Sequence, residues 1–135
     1  MSEKGNRRKR VLILDATAFY TGTPFTGAFT YYVPPSVLDE VSKKDEFGRI
    51  EGLIQSGRLV VRDPSNLSIL RVEHAAATTG DRGHASVADL SVVALAIELV
   101  EEGFDTLVLS DDYVVQNLAE VMGIACRPVI SRGIK

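Results

Sequence analysis

The chain has 135 residues, enough for one domain with its own hydrophobic core. Fifteen basic and eighteen acidic residues give a net charge of −3, which weighs mildly against a nucleic-acid binder because such proteins are usually basic. The apolar runs are shorter than the ~20 residues of a membrane-spanning helix, and the basic N-terminus lacks the apolar segment of a signal peptide. The single cysteine, Cys126, excludes an internal disulfide and a thiolate zinc site. We therefore expect a single-domain cytoplasmic protein.

The first predicted element is a strand, Val11-Leu12-Ile13-Leu14, that runs directly into Asp15. Four consecutive apolar residues indicate a strand covered on both faces, as in the centre of a parallel sheet. In open α/β sheets, ligands bind beyond the carboxyl ends of the strands, so Asp15 lies where a functional residue is expected. The alternative is that Asp15 only forms a turn or caps a helix.

Strands and helices alternate along the rest of the chain. A loop rich in glycine and threonine is predicted at 19–30, and a polar break is predicted at 78–84. Further strands are predicted at 29–33, 59–61, 106–109 and 124–130. Helices are predicted at 35–44, 46–55, from about 66 to the polar break, from 86 to about 103, and at 112–122. This alternation predicts an α/β fold with a parallel sheet of about five strands, helices on both faces and right-handed crossovers.

Several carboxylates are predicted to gather at one edge of this sheet. Asp15 ends the first strand, and Asp111 and Asp112 end the fourth. The carboxyl ends of parallel strands share an edge, so these acids should be neighbours. Asp89 lies in the first turn of the helix leading into the fourth strand, and Glu40 lies in the helix after the second strand. An antiparallel helix in a βαβ unit brings Asp89 to the same edge.

Asp89 is the most informative of these acids. It shares a helical stripe with four apolar residues, so it is predicted to face the sheet rather than water. These residues are Val92, Val93, Ala96 and Val100. The alternative is a capping box, in which Ser86 caps the helix and Asp89 occupies the third helical position.

Simpler interpretations also exist for two other acids. Glu40 can form a surface ion pair with Lys44, and Asp39 can form one with Lys43, because both pairs are four residues apart in a helix. Asp112 is a preferred residue type for a helix N-cap. No single acid decides the matter, and the functional interpretation depends on several of them meeting at one edge.

A cluster of carboxylates requires a cation or a proton. Two like charges ~4 Å apart repel by about 4 kcal/mol at an effective dielectric constant of about 20. A hard divalent ion, Mg²⁺ or Mn²⁺, is the natural partner for oxygen ligands, and it can generate hydroxide and stabilise charge on a phosphoryl group. His74 and His84 lack a zinc-ligand spacing, and the sequence has no phosphate-loop, dinucleotide-binding or nucleophile-elbow motif.

Four segments resemble, in order, the four acidic motifs of PIN-domain ribonucleases. They are Leu-Asp-Ala-Thr-Ala-Phe at 14–19, Val-Leu-Asp-Glu-Val at 37–41, Ser-Val-Ala-Asp at 86–89 and Leu-Ser-Asp-Asp-Tyr at 109–113. The resemblance covers nearly the whole chain. It implies a Mg²⁺- or Mn²⁺-dependent single-strand endoribonuclease, with residues 1–135 forming one PIN-like, three-layer α/β/α domain.

The resemblance also implies roles for individual residues. The catalytic, metal-binding acids would be Asp15, Glu40, Asp89 and Asp112, with Asp111 as the alternative for the fourth. Supporting polar residues would be Thr17, Ser110 and Asn117. The basic cluster of Arg7, Arg8, Lys9 and Arg10 would bind RNA; the alternative is that residues 1–9 form a solvated, disordered arm.

Residues 112–117, Asp-Tyr-Val-Val-Gln-Asn, are similar to the Nob branch of that family, which trims the 3′ end of precursor small-subunit ribosomal RNA. A solvated helix face is the alternative for Gln116 and Asn117. Nob proteins usually continue into a zinc ribbon with paired cysteines, whereas Cys126 is the only cysteine here. Either the ribbon is missing from this chain or the domain stands alone.

The Nob resemblance implies precursor small-subunit rRNA and the pre-ribosomal small subunit as partners. It implies no membrane, and it leaves an oligomer open. Two other functions remain open at this stage. One is a VapC-like toxin ribonuclease of a toxin–antitoxin pair. The other is a catalytically silent PIN-like scaffold that binds RNA or protein.

Overall fold

The computed structural model describes residues 8–20, 28–44, 48–79 and 85–129. Within these ranges the chain forms five strands and six helices, with one or two helices between consecutive strands. The strands are β1 (Arg10–Leu14), β2 (Thr30–Val33), β3 (Leu59–Val61), β4 (Asp105–Leu109) and β5 (Ala125–Arg127). The helices are α1 (Ala16–Tyr20), α2 (Pro35–Ser42), α3 (Arg49–Gln55), α4 (Asn66–Thr79), α5 (Val87–Glu101) and α6 (Tyr113–Val121).

The five strands form one parallel sheet in the order β3-β2-β1-β4-β5, with helices on both faces. This confirms the predicted α/β class. The chain runs outward from β1 to β2 and β3, and then returns to β4 on the other side of β1. The strand order therefore reverses between β1 and β4, which is where ligands bind in open α/β sheets. The two strands pair along their length, from Arg10 opposite Asp105 to Leu14 opposite Leu109.

The core forms around β1 and α5. All four apolar residues of β1 are buried, as expected for a strand covered on both faces. Helix α5 is buried on every side from Asp89 to Ile97, because it packs against β1, β4, α2, α4 and α6. Val100 is the exception to its predicted apolar stripe: it is 39% exposed, because the last turn of α5 reaches solvent with Glu101 and Glu102.

Two predicted boundaries are wrong. Residues 19 and 20 belong to α1 rather than to a loop, because α1 packs buried Ala16 and Ala18 into the core. Helix α4 continues through Thr79, since the hydroxyls of its last two threonines donate to backbone carbonyls three residues earlier and so are satisfied within the helix. Strand β5 lies within the segment 124–130 where a strand was predicted, and it pairs with β4 at the edge of the sheet.

Two helix ends are confirmed by glycines with positive φ. Gly103 (φ 99°) follows α5, and Gly123 (φ 74°) follows α6, each in a conformation that strains other residues. Residues 21–27 of the predicted loop fall outside the described residues, and its last residue, Thr30, belongs to β2. Residues 80–84 of the polar break and the start of the helix predicted at 46 also fall outside them. Among the helices of the described ranges, none has the length and apolar character needed to cross a membrane.

Candidate metal centre

Asp15 is fixed at the point where β1 ends. Its backbone N–H donates to the carbonyl of Leu109 on β4 at 3.1 Å, and its carbonyl accepts from Ala18 in α1. The side chain is only 5% exposed, and its Oδ2 accepts a 2.6 Å hydrogen bond from the hydroxyl of fully buried Ser110. Asp15 therefore has a defined orientation beneath the carboxyl edge of the sheet.

Ser110 connects the ends of β1 and β4. Its hydroxyl oxygen, besides donating to Asp15, accepts from the backbone N–H of Asp112 at 3.0 Å. Its carbonyl accepts from the side-chain amide of Gln116 at 3.0 Å, so Gln116 faces inward rather than forming the solvated face considered for it. Asp112 is the N-cap of α6, where its Oδ1 accepts from the N–H of Val114 at 2.8 Å.

Asp89 forms the capping box that the sequence allowed. The N–H of Ser86 donates to Oδ2 of Asp89 at 2.9 Å, and the N–H of Asp89 donates to the hydroxyl of Ser86 at 3.1 Å. Asp89 is nevertheless only 8% exposed, and it lies beside the other acids of the carboxyl edge. Asp89 thus both forms the capping box and belongs to the group of acids at the carboxyl edge.

Asp15, Asp89 and Asp112 form one acidic cluster. One carboxylate oxygen from each lies within 4.8 Å of the others, which is a spacing that can hold a metal ion. Burial raises the pKa of Asp15, and the charges of Asp89 and Asp112 add to that effect. Burial likewise raises the pKa of Asp89, with the charges of Asp112 and Glu40 contributing. The charged forms of these buried carboxylates are therefore disfavoured unless a cation neutralises them. A donor set made only of oxygens suits a hard divalent cation.

The remaining acids lie outside this group of three. Glu40 is exposed on α2, close enough for its charge to raise the pKa of Asp89. Lys44, the ion-pair partner considered for Glu40, instead contacts Tyr20: its Nζ lies 5.1 Å from the centroid of that ring. Glu40 therefore borders the cluster at longer range.

The Asp111-Asp112 doublet divides into two roles. Oδ1 of Asp111 accepts from the N–H of Val129 at 2.6 Å, and the N–H of Asp111 donates to the hydroxyl of Thr17 at 3.0 Å. Asp111 thus ties the segment after β5 to the edge of the sheet, whereas Asp112 joins the acidic cluster. Between the two candidates for the fourth acid, the geometry favours Asp112.

The basic cluster lies elsewhere. Arg8, Lys9 and Arg10 are exposed at the amino end of β1, and Arg10 pairs with Asp105 at 2.8 Å. A five-residue strand at ~3.3 Å per residue separates them from Asp15 by roughly 16 Å. The structure does not bring them to the acidic cluster, and Arg7 lies outside the described residues.

Sequence reasoning missed the contacts of two residues beneath the site. One is Gln116, whose hydrogen bond to Ser110 could be anticipated only from its place in the first turn of α6. The other is Cys126 on β5, which is half-buried. Burial, together with the charges of Asp15 and Asp111, raises the pKa of the Cys126 thiol to about 11. Asn117, a predicted supporting residue, is half-buried in α6.

A parallel α/β sheet with three carboxylates at its switch point defines a class of metal-binding hydrolytic fold, and sequence comparison supplies the family. Residues 12–99 match the family model described as "PIN domain of ribonuclease". That match covers more than half of the chain, so the chain belongs to the PIN-domain family and the resemblance noted above is confirmed.

Named relatives agree with this family. The chain is 41% identical over 127 residues to endoribonuclease Nob1 of Pyrococcus abyssi, covering 94% of this chain and 73% of that protein. It is 34% identical over 125 residues to ribonuclease VapC3 of Aeropyrum pernix, covering 93% of this chain and 90% of that protein. It is also 34% identical over 102 residues to the 20S-pre-rRNA D-site endonuclease NOB1 of Saccharomyces cerevisiae, covering 73% of this chain and 22% of that protein.

Proposed function

We propose that this chain is a divalent-metal-dependent endoribonuclease that cleaves single-stranded RNA. We further propose that it matures the 3′ end of small-subunit ribosomal RNA. The observation that carries the proposal is the meeting of Asp15, Asp89 and Asp112 within 4.8 Å at the switch point of a PIN-domain sheet. The assignment to ribosomal RNA is supported by the Nob1 relatives, which include the protein at 41% identity.

The three clustered acids would hold a Mg²⁺ or Mn²⁺ ion. Their donors are all oxygens, and the pKa values raised by burial indicate that the site favours a bound cation or a proton over three free negative charges. Such an ion, when bound, lowers the pKa of water and stabilises charge on a phosphoryl group. Glu40 is proposed as the fourth acid, which borders the cluster from α2 and is exposed enough to reach the substrate.

The other residues of the site would keep the acids preorganised. Ser110 holds Asp15 and the backbone of Asp112 through one hydroxyl, and Ser86 holds Asp89. The end of β4 and the first turns of two helices fix these two serines. The carboxylates they hold therefore need little reorganisation when charge develops on the substrate. Thr17 in α1 and Asp111 after β4 would support the same edge, Thr17 by accepting from the N–H of Asp111 and Asp111 by accepting from that of Val129.

An RNA-cleavage assay tests this proposal. The parent chain is expected to cleave single-stranded RNA with Mn²⁺ and to stop when a chelator is added. Asp15→Asn and Asp112→Asn are expected to lose cleavage, whereas Glu73→Gln, which removes an exposed charge on α4, is expected to retain it. Equal products with metal and with chelator, or none in either, would contradict the metal-nuclease assignment.

The choice of substrate needs its own comparison. An RNA spanning the 3′ end of precursor small-subunit rRNA is expected to be cut at one position and faster than an unrelated single-stranded RNA of equal length. Equal rates on both would contradict the ribosomal assignment and leave the nuclease itself supported.

A toxin-type ribonuclease is the second candidate, favoured by one observation. The match to VapC3 covers 90% of that relative, a larger share than the 73% of the Pyrococcus Nob1. Growth arrest on expression and a small antitoxin that copurifies with the chain would favour it. Normal growth and a monodisperse chain without a bound protein are expected under the ribosomal proposal.

A further inference from the structure

Tyr113 is an aromatic side chain in open solvent at the border of the acidic cluster. It is the first residue of α6, directly follows Asp112 and is 71% exposed. An isolated exposed aromatic residue is ordinary on a protein surface, so exposure alone carries no argument. Its position relative to the three carboxylates is what matters.

The backbone geometry directs Tyr113 toward the site. In an α-helix each Cα–Cβ bond tilts toward the helix N-terminus, so the ring of a first-turn residue leans back over the edge from which the helix starts. For α6 that edge holds Asp112, whose carboxylate oxygen lies within 4.8 Å of those of Asp15 and Asp89. Tyr113 therefore lies directly after Asp112, at the edge of the sheet that holds the acidic cluster.

A second exposed apolar side chain borders the same site. Val87 is the first residue of α5, two residues before Asp89, and is 70% exposed. Helices α5 and α6 pack against each other, and the acids of their first turns meet in the cluster. Two neighbouring helices thus each begin with an exposed apolar residue within two positions of a carboxylate of the cluster.

Charge favours the same side of the cluster for a nucleic-acid strand. Arg127 ends β5 and is exposed, and its carbonyl accepts from the N–H of Ser110 at 3.1 Å, so a cation lies at the β4–β5 side of the edge. On the other side, α2 carries the exposed carboxylate of Glu40. A phosphate backbone is attracted toward Arg127, and Tyr113 lies on the same side of the cluster because α6 packs against β5.

We propose that Tyr113 is a positioning residue that stacks on one nucleobase of the RNA bound at the acidic cluster. This inference rests on the proposed function. A tyrosine ring stacks on any base, because every base has a π face, so the contact fixes the strand without selecting a sequence. Holding the base next to the scissile linkage restricts the position of the phosphate over the cluster.

Kinetics on a short single-stranded RNA with Mn²⁺ provide the first test. Tyr113→Ala is expected to raise KM by roughly five-fold to 150-fold, the range that corresponds to loss of one base–aromatic contact, while kcat changes less. Tyr113→Phe is expected to match the parent, because it keeps the ring. The matched control is Val121→Ala, which removes a half-exposed side chain from the other end of α6 and should leave both constants unchanged.

Abasic substitution supplies the second test. When the base is removed from one nucleotide at a time, the parent is expected to lose affinity at one position beside the cleavage site. Tyr113→Ala should be insensitive at that position, because the contact is already absent. An alanine variant with parental KM, or a phenylalanine variant as impaired as the alanine variant, would overturn the stacking role.

A binding measurement separates this inference from the proposed function. The chain has no tryptophan, so the fluorescence of 2-aminopurine placed in the RNA reports stacking on tyrosine without interference from that residue. If the parent quenches the fluorescence and Tyr113→Ala does not, but the parent cleaves no RNA, the result would contradict the nuclease proposal and support stacking. Cleavage by the parent with identical quenching in the parent and in Tyr113→Ala would contradict stacking alone.

Discussion

Replacing Asp89 by asparagine separates its two structural roles. At 4.8 Å and an effective dielectric constant of about 20, each pair of like charges in the cluster costs roughly 3 kcal/mol, and Asp89 takes part in two such pairs. Burial, and then the neighbouring charges, raise the pKa of Asp89, so its charged form is disfavoured in the fold. We therefore expect Asp89→Asn to gain roughly 1–2 kcal/mol in the free energy of unfolding without metal at neutral pH.

The asparagine variant keeps most of the capping box, because its amide oxygen can still accept from the N–H of Ser86. A gain of that size corresponds to a rise in Tm of about 3–6 °C for a domain of this length. With saturating Mn²⁺ at about 100 times its Kd, the parent should gain about 2.7 kcal/mol, and the variant should lose most of that gain together with cleavage.

Thermal melts with and without Mn²⁺, run beside a cleavage time course, give the measurement. Glu73→Gln is the control, because it makes the same change in net charge at an exposed site on α4. If Asp89 were only a capping residue, the variant would keep most of the cap, lose no more than the ~0.5–2 kcal/mol typical of a lost cap, gain no stability and cut RNA normally. An Asp89→Asn variant that cuts at the parental rate and melts lower without metal would refute the reasoning.

Three further predictions follow from the described contacts. Ser110→Ala removes a buried hydroxyl that donates to the carboxylate of Asp15, so we expect a loss of roughly 1.5–3 kcal/mol in chemical denaturation and a marked loss of cleavage; parental stability would contradict the hydrogen bond. Because burial raises their folded pKa values above the ordinary aspartate value of about 4, Asp15 and Asp89 destabilise the metal-free fold increasingly as the pH rises from about 4 through those raised values. The free energy of unfolding, measured from pH 4 to pH 8 without metal, should fall as the pH rises, and it should fall less steeply in Asp89→Asn. The same pH dependence in the parent and the variant would contradict this prediction. Arg62→Ala breaks the ion pairs of Arg62 with Glu98 and Glu102. It should lower the free energy of unfolding by about 1 kcal/mol at low salt and by less at high salt, and it should leave cleavage intact.

The parallel sheet and most of the acidic cluster could be predicted from the sequence. An unbroken apolar strand that ends in a carboxylate has few alternatives to a central parallel strand, and Asp15 lies where that pattern places it. Asp89 was predictable because a helix that packs antiparallel to the next strand must begin at the carboxyl edge. Both inferences use local periodicity and one topological rule, and neither needs long-range contacts.

Other features depended on contacts that no local pattern encodes. Asp111 and Asp112 follow the same strand, and what distinguishes them is the return of Val129 from β5, which takes Asp111 away from the cluster. The inward orientation of Gln116 depends on a carbonyl exposed by the turn at Ser110. The end of α4 was misplaced for the same reason, since side-chain hydrogen bonds in its last turn decided it.

Manganese located by anomalous diffraction tests the central claim most directly. In crystals of the parent chain soaked with Mn²⁺, the account predicts an anomalous peak at bonding distance from carboxylate oxygens of Asp15, Asp89 and Asp112. The same soak of Asp89→Asn crystals should give a weaker peak or none at that position. A parent crystal with full Mn²⁺ occupancy elsewhere and no peak among these three carboxylates would contradict the account.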